Sequence, residues 1–300
     1  MGIGHRVAGR LLQALAGRAM QPAAGLALVA PDVAPAERVV ATTTAGPVTV
    51  HVVRPAWSDV PPPVYVNFHG GGFLMGSPAD DEALCRALVE ATGCVVLNVD
   101  YALAPQHPFP AAADQAYAVT RWAAEHGAEH GWDGARLAVG GQSAGGNLAA
   151  GVCLAARERG GPAVALQVLL YPPLDLSVDP ATKTGRAAKP LITPAMARVF
   201  DACYVPDPAR RSDPRVSPVL APDLAGLPAA LVVTAELDTL RDEADRYATR
   251  LSDAGVPVTH VVMPGVDHGF THVEPLGPFH ETVGLMAAAL RTAWALPAAG

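Results

Sequence analysis

Residues 137–147 run Leu-Ala-Val-Gly-Gly-Gln-Ser-Ala-Gly-Gly-Asn, and no other stretch restricts the fold as much. An apolar strand leads in, a turn of small residues follows, and a helix-prone segment, 147–157, leads out. Gly141-Gln142-Ser143-Ala144-Gly145 has the G-x-S-x-G form of a sharp strand-to-helix turn that lifts a serine hydroxyl above the edge of a sheet. Glycines two places before and two places after Ser143 leave room for a strained backbone there. The helix that begins at the turn points its free N–H groups at the same spot and favours negative charge.

A turn of this kind needs a parallel sheet around it, and the rest of the chain supplies one. Segments 37–44 and 48–54 alternate and are rich in Val and Thr, and the Ala45-Gly46-Pro47 between them predicts a hairpin. Further strands are expected at 64–68, 94–99, 136–140, 165–171, 229–235 and 256–263. Helices are expected at 80–92, 111–129, 147–157, 240–254 and 279–295. Fully apolar strands alternating with helices imply a mostly parallel sheet covered on both faces. The rhythm breaks after Asp175. Segment 177–215, rich in Pro, Ala, Arg and Lys, carries one helical piece at 194–204 and is too long for an ordinary loop. The expected organisation is an N-terminal cap segment (1–36), a first core part (37–176), an inserted cap segment (177–215) and a second core part (216–300).

At the N-terminus, Ile3, Val7, Leu11 and Leu15 recur every four residues, which predicts an amphipathic helix rather than an export signal. Pro22 to Pro35 is expected to be a linker. No run reaches the roughly 18 apolar residues of a membrane span, and a net charge of −7 argues against nucleic acid as a partner. Cys85, Cys94, Cys153 and Cys203 form no C-x-x-C and are expected as buried free thiols of a cytoplasmic protein.

A serine hydroxyl is a weak nucleophile until a base takes its proton, and the base needs an acid to orient it. Both partners are available in the chain order this kind of turn uses, acid and then histidine. The strand ending at Ala235 runs into Glu236-Leu237-Asp238, and the strand ending at Met263 into Pro264-Gly-Val-Asp267-His268-Gly-Phe270. Carboxyl ends of parallel strands are where open sheets place ligands. Ser143 as nucleophile, Asp238 as acid and His268 as base follow. Asp267, adjacent to His268, is expected to point elsewhere, and Glu236 to tie its loop down. Upstream, His69-Gly70-Gly71-Gly72-Phe73 follows the strand at 64–68. Glycine lets backbone N–H groups approach a developing oxyanion, so Gly71 and Gly72, with Ala144 from the turn, are the expected donors. His69 is expected to brace that loop. His126-Gly-Ala-Glu129-His130 has the H-x-x-E-H form of a zinc site, but Gly127 and Gly131 end the helix it would need, so no metal and no cofactor are expected.

In combination these motifs, with Asp100-Tyr-Ala-Leu-Ala-Pro105-Gln-His-Pro-Phe-Pro110 and Asp238-Thr-Leu-Arg-Asp-Glu243, resemble the hormone-sensitive-lipase family of carboxylesterases, the bacterial family IV esterases, from about Val39 to Glu274. The resemblance implies an α/β-hydrolase fold with an eight-stranded sheet, a helical cap built from the N-terminal and inserted segments, and cofactor-free ester hydrolysis. It gives the same residues the same roles. Three positions depart from the family pattern: Gln142, Ala102 and Gln106 stand where charged residues are common. They are expected to interact around the turn as a neutral replacement for a charged network.

The same triad also suits an amidase or deacetylase, and the scaffold suits a binding protein such as the gibberellin receptors the family resembles. Those receptors lack the histidine that His268 provides here. A small ester is the expected partner, with a homodimer left open. Met20, Leu191, Ile192, Met196, Val199, Phe200 and Tyr204 are the apolar residues outside the sheet rhythm. Leu191, Met196, Phe200 and Tyr204 are the candidates for lining a substrate pocket.

Overall fold

The computed structural model describes residues 7, 9–11, 13–14 and 23–296. Eight strands form one sheet in the order β1-β2-β4-β3-β5-β6-β7-β8. They are β1 (Glu37–Thr43), β2 (Gly46–Val53), β3 (Pro63–Phe68), β4 (Val95–Asp100), β5 (Asp133–Gln142), β6 (Leu166–Leu170), β7 (Ala229–Ala235) and β8 (Val258–Met263). Only β2 is antiparallel to its neighbours, and β4 through β8 pair in parallel. The crossovers carry helices α1 (Glu82–Thr92), α2 (Ala111–Glu125), α3 (Ala144–Arg159) and α5 (Arg241–Asp253), and α6 (Gly277–Ala293) follows β8. Helix α4 (Pro194–Tyr204) lies in the segment between β6 and β7.

Strand pleating sorts the core into two layers. Val64, Val66 and Phe68 of β3 pack with Tyr117 and Trp122 of α2, Leu148 and Val152 of α3, and Tyr247 and Leu251 of α5. Tyr65, from the same strand, points through the other face to Leu84 and Leu88 of α1 and Phe279, Met286 and Leu290 of α6. Helices therefore cover both faces, as the apolar strands predict.

Helix α3 is buried from Ala144 to Ala156, and its small residues allow that. A Cβ on Gly145 would sit 1.7 Å from the Phe68 carbonyl oxygen, and one on Gly141 2.2 Å from the same atom. The turn thus packs directly on the end of β3, from which the glycine loop starts. Asn147, in the first turn of α3, donates to Pro173 O and Val216 O, both at 2.7 Å, and pins the loops on the far side.

The element boundaries depart from the sequence expectations at a few places. Helix α2 stops at Glu125, and a separate turn, Gly127–His130, follows. Within the expected linker, Ala24–Leu28 form a 3₁₀ turn around the buried Leu26. In the N-terminal stretch, Val7, Gly9, Arg10, Leu11, Gln13 and Ala14 are helical, whereas Ile3, Leu15 and Met20 lie outside the described residues. No described helix is long and apolar enough to cross a membrane. All four cysteines are buried, and no disulfide joins them among the described residues.

Candidate active site

Ser143 joins β5 to α3 with φ 50° and ψ −118°, a left-handed conformation that a side chain with a Cβ occupies only under constraint. The constraint is visible: Ser143 N–H donates to Leu170 O at 2.8 Å on one side, and Ser143 O accepts from Asn147 N at 3.2 Å on the other. The hydroxyl is left facing His268, on the loop after β8. His268 Nε2 lies 2.8 Å from Ser143 Oγ, and His268 Nδ1 lies 2.7 Å from Asp238 Oδ2. Asp238, on the loop after β7, is 3% exposed, and its other oxygen accepts from Leu240 N–H at 2.9 Å. A carboxylate at Nδ1 holds the proton there and leaves Nε2 as an acceptor for the serine O–H.

The rival acids are occupied. Glu236 Oε2 accepts from Gly265 N–H at 2.8 Å and ties the β7 loop to the β8 loop. Asp267 turns away from the imidazole: its oxygens accept from Leu191 N–H at 2.8 Å and from the His268 backbone N–H at 2.7 Å.

The glycine loop leaves β3 beside this row. Gly71 has φ 119° and Gly72 φ 60°. A Cβ on Gly71 would lie 2.0 Å from Met75 O, and one on Gly72 2.8 Å from the Phe200 ring. Both positions therefore require glycine on two counts, backbone angle and space. His69 is fully buried, stacks on Tyr101 at 4.2 Å and has Nδ1 2.7 Å from Gly70 O. Burial lowers its pKa below that of an ordinary histidine, although the surrounding acids push the other way. It braces the loop as a neutral ring.

Gly70, Gly71, Gly72, Ser143 and His268 share the wall of a cavity of about 270 Å³. Leu191, Met196 and Phe200 line it as well. Tyr204 does not: it is fully buried and stacks on Phe73 at 3.8 Å, with Phe109 edge-on. It sits one turn beyond Phe200 on the same face of α4, and the rise of about 6 Å along the helix carries it past the cavity into the core.

Several residues that the sequence reading passed over border the same space. Asp81 is buried and accepts from Asn67 Nδ2 at 2.9 Å, and His272 Nε2 lies 3.0 Å from its second oxygen. Gln142, in the amide orientation that satisfies both ends, donates to Asp81 Oδ2 at 2.6 Å and Phe68 O at 3.3 Å. His272 continues through Thr271, whose hydroxyl bonds the Tyr171 hydroxyl, and Tyr171 meets His268 edge-on at 5.0 Å. Burial opposes the charge on His272, but the bond to Asp81 and that carboxylate's field outweigh it and raise the pKa. The expected network of Gln142 with Ala102 and Gln106 is corrected by these contacts. Ala102 N–H donates to Gln115 at 2.7 Å, and Gln106 exchanges hydrogen bonds with Gln13 of the N-terminal stretch. The neutral Gln142 faces Asp81 instead.

His126 and His130 do not converge. His126 Nδ1 lies 3.1 Å from Trp122 O, and His130 stacks on Trp132 at 5.1 Å. Among the described residues no group of three or more His, Cys, Asp or Glu side chains is placed to hold a metal ion.

Residues 65–272 match the family model described as alpha/beta hydrolase fold, and the chain belongs to that family. Among its relatives, the carboxylic ester hydrolase LipN of Mycobacterium tuberculosis is 40% identical over 239 residues, which covers 78% of this chain and 63% of LipN. The chain thus spans less than two thirds of that relative's length. Carboxylesterase NlhH from the same species is 38% identical, with 77% of this chain and 74% of that protein covered. Among solved structures, an esterase of Pyrobaculum calidifontis superposes with a TM-score of 0.82 at 38% identity, covering 89% of this chain and 88% of that one.

Proposed function

We propose that the protein is a serine carboxylesterase that cleaves short- to medium-chain carboxylic esters through an acyl-enzyme. The observation that carries this reading is the unbroken row Ser143–His268–Asp238, with hydrogen bonds of 2.8 and 2.7 Å, opening on a cavity walled by a glycine loop. Ester hydrolases among the relatives support it.

In this reading Ser143 Oγ attacks the ester carbonyl carbon while its proton passes to His268 Nε2. Asp238 stabilises the resulting imidazolium and keeps the ring in the productive tautomer. Charge that gathers on the carbonyl oxygen meets the backbone N–H groups of Gly71, Gly72 and Ala144, each such donor being worth a few kcal/mol. Collapse expels the alcohol, protonated by His268, and leaves the acyl group on Ser143. Water, deprotonated by the same histidine, then releases the acid. The helix α3 N-terminus beneath Ser143 favours the same negative charge.

Leu191, Met196 and Phe200 form the apolar side of the cavity and are assigned to hold the acyl or alcohol chain. The segment 177–215, together with the N-terminal stretch whose Gln13 donates to Leu74 O at 2.6 Å and Ala104 O at 2.9 Å, acts as the cap. Four buried cysteines outside any disulfide fit a cytoplasmic setting. The test is turnover of 4-nitrophenyl esters from acetate to decanoate, with and without Ser143→Ala. Loss on the order of a millionfold in the variant is expected, together with a maximum at short or medium length. Retained turnover in Ser143→Ala removes the nucleophile assignment. Hydrolysis of matched anilides but not esters makes the protein an amidase.

A further inference from the structure

Helix α4 breaks the rule that its buried face should be apolar. Thr193 caps it through Met196 N–H, Pro194 starts it, and its inward positions are Ala197, Phe200, Cys203 and Tyr204, with Asp201 among them at 7% exposure. The Asp201 side chain borders the catalytic cavity beside Phe200. Its Oδ2 atom is buried without any hydrogen-bond partner, and no ion pair reaches either oxygen among the described residues. The other lining carboxylates are satisfied: Asp80 holds Ser77 N–H at 2.8 Å, and Asp81 holds Asn67 and His272. A carboxyl taken out of water without a partner is costly, and native interiors leave such groups only where something else completes them.

Lys183 borders the same cavity from the loop before α4. Its ammonium donates to Asp175 O at 2.8 Å and to Glu243 Oε2 at 2.6 Å. An ammonium has three N–H donors, so one is left beyond these two bonds. Lys183 acts on Asp201 electrostatically but is not paired with it. The cavity wall therefore carries, among its apolar side chains, an acceptor and a donor that do not satisfy each other.

We propose that Asp201 is a specificity-determining residue, and that the preferred substrates are esters carrying a hydroxyl group on the chain remote from the ester carbonyl. A hydroxyl is neutral and both donates and accepts, so it can give its proton's bond to Asp201 and receive one from Lys183. An ammonium would meet the Lys183 charge, and a carboxylate the Asp201 charge. A plain alkyl chain leaves Asp201 unpartnered, and sites built to bond a substrate hydroxyl discriminate against analogues that lack it. Burial pushes the Asp201 carboxyl up to about 6, against the pull of Lys183 and Arg211, so near neutral pH it is mostly ionised and accepts the stronger, charge-assisted bond.

The inference rests on the esterase reading, and the experiment separates the two. Wild-type protein and the variants Asp201→Leu, Asp201→Ala and Asp201→Asn are assayed on 4-nitrophenyl esters of straight-chain acids of six to eight carbons, each paired with its ω-hydroxy counterpart. A second series varies the alcohol, pairing alkyl acetates with ω-hydroxyalkyl acetates. 4-Nitrophenyl acetate, which carries no chain hydroxyl, reports on the catalytic machinery and on folding. If the wild type turns over no ester, the esterase reading fails and this inference falls with it, whereas turnover of acetate without any hydroxyl preference overturns this inference alone. The quantity read is the kcat/KM ratio of hydroxylated to plain ester. At one chain length or more that ratio should exceed the ratio in Asp201→Leu or Asp201→Ala by about tenfold, the size of one hydrogen bond to a charged group. Asp201→Asn, which keeps an acceptor, should fall between. A difference below threefold at every length in both series overturns the proposal and leaves Asp201 as a buried acid with no part in recognition.

Discussion

Ser143, His268 and Asp238 come from three different loops, yet the sequence nominates each as a candidate through a local pattern, and the structure brings the three together. Ser143 lies in a strand–turn–helix, and the other two follow the ends of apolar strands. The proposal of Asp238 over Glu236 is supported by bonds: Asp238 lies 2.7 Å from His268 Nδ1, and Glu236 accepts from Gly265 N–H. Asp238→Asn should therefore leave the fold intact and slow ester turnover by about 10⁴-fold by favouring the wrong tautomer. Glu236→Gln should cost far less, and steady-state kinetics on both variants checks the order. Asp81, His272 and Asp201 were not legible, because what gives each its setting is a neighbour distant in sequence. Asp201 also makes a stability prediction. Its carboxyl is raised to about 6 by burial, so the folded protein binds this proton more tightly than the unfolded chain. By linkage the group lowers stability as pH rises from about 4 to about 6, by up to roughly 3 kcal/mol. Asp201→Asn should melt close to the wild type near pH 4 and progressively above it towards pH 7. Scanning calorimetry across that range would contradict the assignment if the difference stayed flat or reversed.

At the level of elements, the periodic segments were read with errors of a few residues, and β7 and α4 without error. Boundaries slipped where capping rather than periodicity sets them. Gly141 and Gly145 permit α3 to begin at Ala144, three residues before the expected start, because α3 has to press on β3. Helix α4 shows why a pattern alone does not separate core from pocket. Its apolar face is shared, with Cys203 and Tyr204 turned into the core, whereas Met196 and Phe200 meet the cavity. Tyr204 was misplaced for that reason. Phe200 lies against Gly72, whose φ of 60° and missing Cβ make room for the ring. Phe200→Ala should enlarge the chain-binding end of the cavity. We expect the preferred acyl length to move upward, with roughly 10-fold or greater changes in discrimination. The melting temperature should fall by less than the full loss of about 3–5 kcal/mol typical of a core phenylalanine, since one side of the ring already faces open space. An unchanged chain-length profile with a large drop in melting temperature would make Phe200 a core residue.

For the whole molecule, the class of fold was readable and the path of the chain through the sheet was not. Apolar strands alternating with helices dictate a parallel sheet covered on both faces, and that is what forms. The order β2-β4-β3-β5 depends on which crossover packs on which face, a choice made by contacts such as Tyr65 with Leu84 and Phe68 with Leu148 that no local window contains. The sheet's consequence for function is that the carboxyl ends of β3, β5, β7 and β8 lie along one edge and deliver the glycine loop, Ser143 and His268 to one cavity, with Asp238 bonded to His268 behind it. The central claim is that Ser143 is the group this arrangement activates. It is tested most directly by reacting the protein with a 4-nitrophenyl alkylphosphonate and mapping the adduct by peptide mass spectrometry. The account predicts one phosphonyl group per chain, on Ser143, with ester turnover lost in step with labelling and no adduct on the Ser143→Ala variant. Labelling at another residue, or full turnover after stoichiometric labelling of Ser143, would contradict it.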